Sequence, residues 1–269
     1  MREMMYGTSS AVIAFVLFLA IVVAIEVGRQ IGRAASKQTS APPKEHVSGI
    51  QAALLGMLAL LLGFTLSLSL QRFDGRSAAV VEEANAIGTA YLRADFLPLI
   101  VRDDAKRLFR SYVDLRIQAG AASDADYSRR SPLLKKANDG LNALWALANK
   151  AVTEDPSPVR TGLFVQALND AIDSAAKREA ALDRHVPEVV LLLMFATFLM
   201  GGLVVGYSSG LGGYRAFFAT YVMVGLMVVL VFIIVDLDRP RRGLIQVSQA
   251  SMTELRDSMN EQAPKPLSK

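Results

Sequence analysis

The residue types that most often carry out chemistry are few in this chain and poorly spaced for it. There are two histidines, His46 and His185, and no cysteine, which removes thiolate nucleophiles, disulfides and Cys-based metal sites. Neither histidine has another at ligand spacing, so no metal site is expected. Glu82 and Glu83 are neighbours; on a helix they project about 100° apart and cannot share one general acid–base site. No His-Glu-x-x-His, phosphate-binding loop, Gly-x-Ser-x-Gly or paired-carboxylate pattern occurs in a workable context. Catalysis and a cofactor are therefore not expected.

The remaining polar chemistry is that of a pore, an interface or a headgroup site, and three sets of residues are candidates. Phe64, Thr65 and Ser67 sit in an otherwise apolar run, where an aromatic ring can form a constriction that gates by dewetting. Glu82, Asn85, Thr89 and Arg93 recur at helical spacing and form a polar row. That row is either a solvated helix face, or a vestibule lining or inter-subunit network. Arg239, Arg241 and Arg242 are either interfacial anchors or an anion or phospholipid-headgroup site.

The elements that must position these residues are helices. With 52% hydrophobic residues and 20% charged ones in 269, the two characters have to be segregated along the chain. Apolar runs at 10–27, 52–70, 187–207 and 216–235 each approach the roughly 20 residues needed to cross about 30 Å of hydrocarbon. Lipid offers no partner to backbone N–H and C=O groups, so such spans are helical. The first run is longer than a signal-peptide core and lacks a small-residue cleavage site, so it reads as a retained anchor. The basic segment 28–49, with Pro42 and Pro43, reads as a loop.

The second span has small residues at Ala52, Gly56, Ala59, Gly63 and Ser67, one stripe down a helix. Such a stripe permits close approach of another helix; the alternative is a pore face. No helix breaker separates this span from the charged segment after Leu70, so 50–95 reads as a single helix leaving the membrane. Pro98 ends it. Amphipathic helices are then expected around 99–120, from Pro132 to about residue 153 and across 159–186, with apolar positions at helical spacing. The expected fold is all-α: four transmembrane helices with an antiparallel helical domain at 72–186 between the second and third spans. The Gly201-Gly202 pair and the glycines from Gly206 to Gly213 suggest tight helix packing rather than a phosphate cradle. The last segment, 237–269, reads as the basic motif, a short amphipathic helix and a disordered tail.

Several stretches resemble a known family. They are Leu61-Leu-Gly63-Phe64-Thr65, Arg72-Phe73-Asp74-x-Arg76, Glu82-Glu83-Ala84-Asn85-Ala86-Ile87-Gly88, and Asp236-Leu-Asp238-Arg239-Pro240-x-Arg242-Gly243. On these the chain is similar to the bestrophin-like family of bacterial membrane proteins, defined by a domain of unknown function. The resemblance implies kinship with bestrophins, pentameric anion channels whose second span lines the pore and continues into a cytosolic helical domain. It also implies an inorganic anion as permeant and Phe64 as the aromatic position of the neck. No acidic cluster corresponds to the bestrophin calcium clasp.

The net charge of +4 comes largely from Lys and Arg beside the spans, which points to lipid headgroups rather than nucleic acid. Positive-inside counting leans toward a cytoplasmic middle domain and termini in a multi-pass protein of the inner (plasma) membrane. Two functions are expected: an oligomeric channel with the second span around the pore, or a non-conducting membrane sensor or scaffold whose helical domain binds a ligand or protein partner.

Overall fold

A computed structural model describes residues 8–37, 44–122, 127–214, 218–239 and 243–262. The Pro42–Pro43 break, residues 123–126, Arg241, Arg242 and the tail from residue 263 lie outside the described residues. Among the described residues all regular structure is helical. The helices are α1 (Ser10–Ser36), α2 (Lys44–Arg93), α3 (Leu99–Ala121), α4 (Tyr127–Glu154), α5 (Thr161–Leu182), α6 (Glu188–Leu211), α7 (Phe218–Leu237) and α8 (Ala250–Glu261), with a 3-10 turn at Ala94–Phe96. Four of them, α1, α2, α6 and α7, are long and apolar enough to cross a membrane. At 1.5 Å per residue the 50 residues of α2 extend roughly 75 Å, far more than a bilayer core.

The chain divides into two compact units. The first holds α1, the part of α2 up to Arg72, α6 and α7. Its seam is glycine-built. A Cβ on Gly28 or Gly32 would run into the carbonyl of Leu203 or Tyr207, and one on Gly206 or Gly210 into that of Ile25 or Arg29. Only hydrogen side chains let α1 and α6 backbones come this close. The seam also accounts for a departure from the sequence reading. Residues 28–36, expected as loop, continue α1 because Gly28 and Gly32 belong to the contact. Ile21, Ile25, Leu58, Leu62, Met194, Phe198, Val228 and Val231 fill the apolar core.

Polar ties close this unit. The buried Asp238 carboxylate accepts the Val186 N–H at 2.9 Å and lies 3.7 Å from an Arg72 nitrogen. Asp236 accepts the Ile245 N–H at 2.9 Å.

The second unit contains the rest of α2 from Phe73, the 3-10 turn, α3, α4, α5 and α8. Its core gathers Val80, Ile87, Tyr91, Phe109, Leu144, Phe164 and Leu168. Phe109 meets Tyr91 and Phe164 edge-on, with centroids 6.4 and 6.3 Å away, the arrangement that ring quadrupoles favour. Pro98 stands at the N-cap of α3. Two elements differ from expectation. Pro132 lies inside α4, which has already begun at Tyr127, rather than in its first turn. The short helix of the last segment, α8, is part of this core: Met252 and Met259 are buried in it, and the Tyr91 hydroxyl donates to the Met259 carbonyl at 3.2 Å.

Candidate functional site

In the membrane unit, α2 has one face buried and one open. Leu58, Leu62, Thr65 and Ser69 are buried. At about 100° per residue, Gly56, Leu60, Gly63 and Ser67 fall on the other side, and all are exposed. A Cβ on Gly56 or Gly63 would meet nothing within 4 Å. Phe64, 67% exposed, stands at the edge of this open face. Of the three pore candidates, Phe64 and Ser67 thus share the open side, while Thr65 turns inward and donates its hydroxyl to the Leu61 carbonyl at 2.7 Å. An apolar cleft of about 300 Å³ lies between α2 and α7 and includes Gly63 and Met227.

In the helical unit, the polar row lines a groove of about 720 Å³ between α2 and α5. Glu82, Asn85 and Thr89 form one wall and Asp170, Asp173, Ser174 and Lys177 the other, over a floor that includes Ala86 and Ala167. The Lys177 ammonium donates to both Glu82 oxygens, at 2.8 and 2.7 Å. Arg93 leaves the row: its guanidinium donates to the Leu163 carbonyl at 3.0 Å, tying the end of α2 to the start of α5.

One residue along from Glu82 is a site that the sequence reading missed. Glu83 is fully buried between two arginines. Arg116 Nε lies 2.7 Å from one carboxylate oxygen and Arg178 Nη1 donates to the other at 2.6 Å. Tyr112 donates its hydroxyl to Glu83 at 3.2 Å. Arg116 also donates to Glu179 at 2.9 Å, and Arg178 to the Gln249 side chain at 2.7 Å. Burial pushes the Tyr112 phenol well above its ordinary range, and the Glu83 carboxylate adds to this. Burial opposes the charge on Arg116, yet Glu83, together with Tyr112 and Glu179, outweighs it and raises the guanidinium above its ordinary value.

The signal was present. Glu83, Arg116 and Arg178 occupy apolar-stripe positions, beside Val80–Ile87, Tyr112–Ala119 and Ala171–Leu182 respectively, where an unpaired charge would be costly.

The arginines read as facing lipid headgroups are largely engaged within their own units. Arg76 is buried and donates to the Ala181 and Arg184 carbonyls at 3.2 and 2.5 Å. Arg239 is buried and bonded to the Thr8 carbonyl and the Ser10 hydroxyl. Its two companions in the proposed anion site, Arg241 and Arg242, lie outside the described residues.

A family model described as a Bestrophin-like domain matches residues 14–252. No curated protein is significantly similar in sequence. Among solved structures, crystal structures of a bacterial bestrophin homologue from Klebsiella pneumoniae share the fold. A form with one isoleucine-to-threonine change aligns with a TM-score of 0.66 and 15% identity, over 92% of this chain and 96% of that one. A form with a tyrosine-to-alanine change gives the same values. A structure described as a membrane protein aligns at 0.58 and 15% identity, over 90% and 97%.

Proposed function

The chain belongs to the bestrophin-like family, and from that premise we propose that it is an oligomeric channel of the inner membrane that passes a small inorganic anion. The observation that carries this reading is the open face of α2, with Gly56, Gly63, Ser67 and the exposed Phe64 ring. One such helix cannot enclose a path for ions, so several copies must be arranged in a closed ring. Small side chains leave room for water along the path, and the Phe64 rings supply the narrow apolar step that controls wetting. No ionisable residue occurs between Ala52 and Leu70, so passage does not require a proton relay.

The test is flux through liposomes containing the purified protein, measured for chloride and for sodium. Active wild type with altered flux in Phe64→Ala supports the neck assignment. Equal flux in both removes it, and sodium passing in preference to chloride removes the anion. In this reading the helical domain lies in the cytoplasm. An Asp103→Cys reporter in this cysteine-free chain is then labelled by an impermeant reagent only after cells are opened; labelling of intact cells would reverse the orientation.

A second reading, a non-conducting sensor or scaffold, draws on the groove between α2 and α5, whose roughly 720 Å³ is of ligand-binding size. A monomer or dimer without flux, whose helical domain crosslinks to another protein, would favour it.

A further inference from the structure

In the membrane unit α1 and α6 close on each other through glycines, whereas α2 and α7 leave a gap. The gap is the cleft of about 300 Å³, with Ala59, Gly63 and Leu66 on the α2 side and Met227, Leu230 and Ile234 on the α7 side. Every side chain that lines it is apolar. Past Met227 a second apolar space, of only about 20 Å³, borders Leu58 and Met223, so the gap narrows in that direction. Both helices are long and apolar enough to cross a membrane, which sets the cleft at the depth of lipid hydrocarbon. At about 100° per residue, Ala59 and Leu66 stand about 40–60° to one side of Gly63, and Ser67 and Phe64 about 40–100° to the other. The cleft therefore runs beside the open face of α2 and not across it.

Neither water nor a helix suits this space. A buried water needs two to four polar partners, and the lining side chains offer none. Spread along the roughly 10 Å from Ala59 to Leu66, the volume amounts to a cross-section of about 30 Å². A helix 10–12 Å across needs about three times that. Left empty, the lining would forfeit its dispersion contacts. We propose that the cleft binds one acyl chain of a membrane phospholipid, laid lengthwise between α2 and α7. Shape and dispersion hold it, and the pliant Met227 side chain adapts at the narrow end. The acyl chain does between α2 and α7 what the glycine contact does between α1 and α6. It supports α2 from the side of Ala59 and Leu66 and leaves Ser67 and Phe64 clear. The inference needs the membrane unit alone and does not rest on the channel reading.

The probe is a phospholipid carrying a diazirine midway along one acyl chain. Full-length protein is reconstituted with it, extracted in detergent, washed free of loosely held lipid and irradiated, and the labelled residues are located by peptide mass. Adducts of the whole phospholipid are expected on Leu66, Met227 and Leu230. Leu60 and Leu226, 59% and 64% exposed on the same two helices but outside the cleft, should stay at background. Ala59→Phe fills the cleft and should lower its labelling about tenfold, the loss of roughly two methylenes of burial; Ala59→Leu, a smaller filling, should lower it less. Equal labelling of Leu226 and Leu230 after washing would make the cleft ordinary bilayer contact and overturn the inference. An unlabelled cleft in an intact oligomer would give the space to a second copy; it too overturns the inference, and it leaves the channel reading standing. A labelled cleft in a protein without flux does the reverse.

Discussion

The α1–α6 seam and the open face of α2 are built from the same kind of residue and used in opposite ways. In the seam, Gly28, Gly32, Gly206 and Gly210 each face a carbonyl that a Cβ would strike. On α2, Gly56 and Gly63, seven residues apart rather than four, face nothing within 4 Å. A run of small residues announces that close approach is available, but not to whom. The seam finds its partner within the chain, whereas Gly56 and Gly63 on the α2 face have none among the described residues, and the proposed channel would set a neighbouring copy or the contents of a pore against them. The helical domain repeats the contrast in charge: Glu83 is enclosed by two arginines, while Glu82, the next residue, borders an open groove.

If closed features hold each unit together and open ones serve contacts outside the chain, perturbing the two kinds should have different effects. The largest difference is expected at the glutamates. Glu83→Gln leaves Arg116 and Arg178 buried without their counter-charge and should cost about 3–5 kcal/mol of stability, whereas Glu82→Gln on the surface should stay within about 0.5 kcal/mol. Thermal unfolding of the purified protein measures both, and equal effects would break the distinction. The glycines come next. Gly206→Ala forces α1 from α6 at a cost of about 1–3 kcal/mol, and Gly56→Ala should leave unfolding unchanged while altering assembly or flux. A destabilised Gly56→Ala chain that assembles normally would contradict the assignment.

The smallest effect concerns Tyr112. Its phenol is raised in the folded state, so the stability it contributes is complete below the ordinary tyrosine range near pH 10 and is lost as pH climbs through the higher folded value. Tyr112→Phe should cost about 1 kcal/mol at neutral pH by losing the Glu83 hydrogen bond and should blunt the alkaline fall. An identical alkaline profile in the variant would assign that fall to other groups.

The α2 helix could be read in advance because its apolar and amphipathic periods run together with no breaker between Ala52 and Arg93. The all-α class and the four spans were legible on the same basis. The extension of α1 through Gly28 and Gly32 was not, since glycines next to a basic stretch look like loop until the facing glycines of α6 are seen. The place of α8 in the core was hidden for a similar reason: two methionines seven residues apart say little without the surface they enter. At the candidate site, the polar row could be found from spacing, but Arg93 left it for a carbonyl contributed by α5. Glu83 reads in the sequence only as the neighbour of Glu82, because its partners, Arg116 and Arg178, are 33 and 95 residues away. Burial of a charge is a property of the fold and shows in sequence only as a polar residue in an apolar stripe.

The central claim is that the open face of α2 exists to meet other copies around an ion path. The mass of the wild-type protein extracted in native lipid tests it most directly. A closed assembly of several chains, five by the family resemblance, is the predicted result; a monomer or dimer would contradict the account, because neither can place α2 around a central pore.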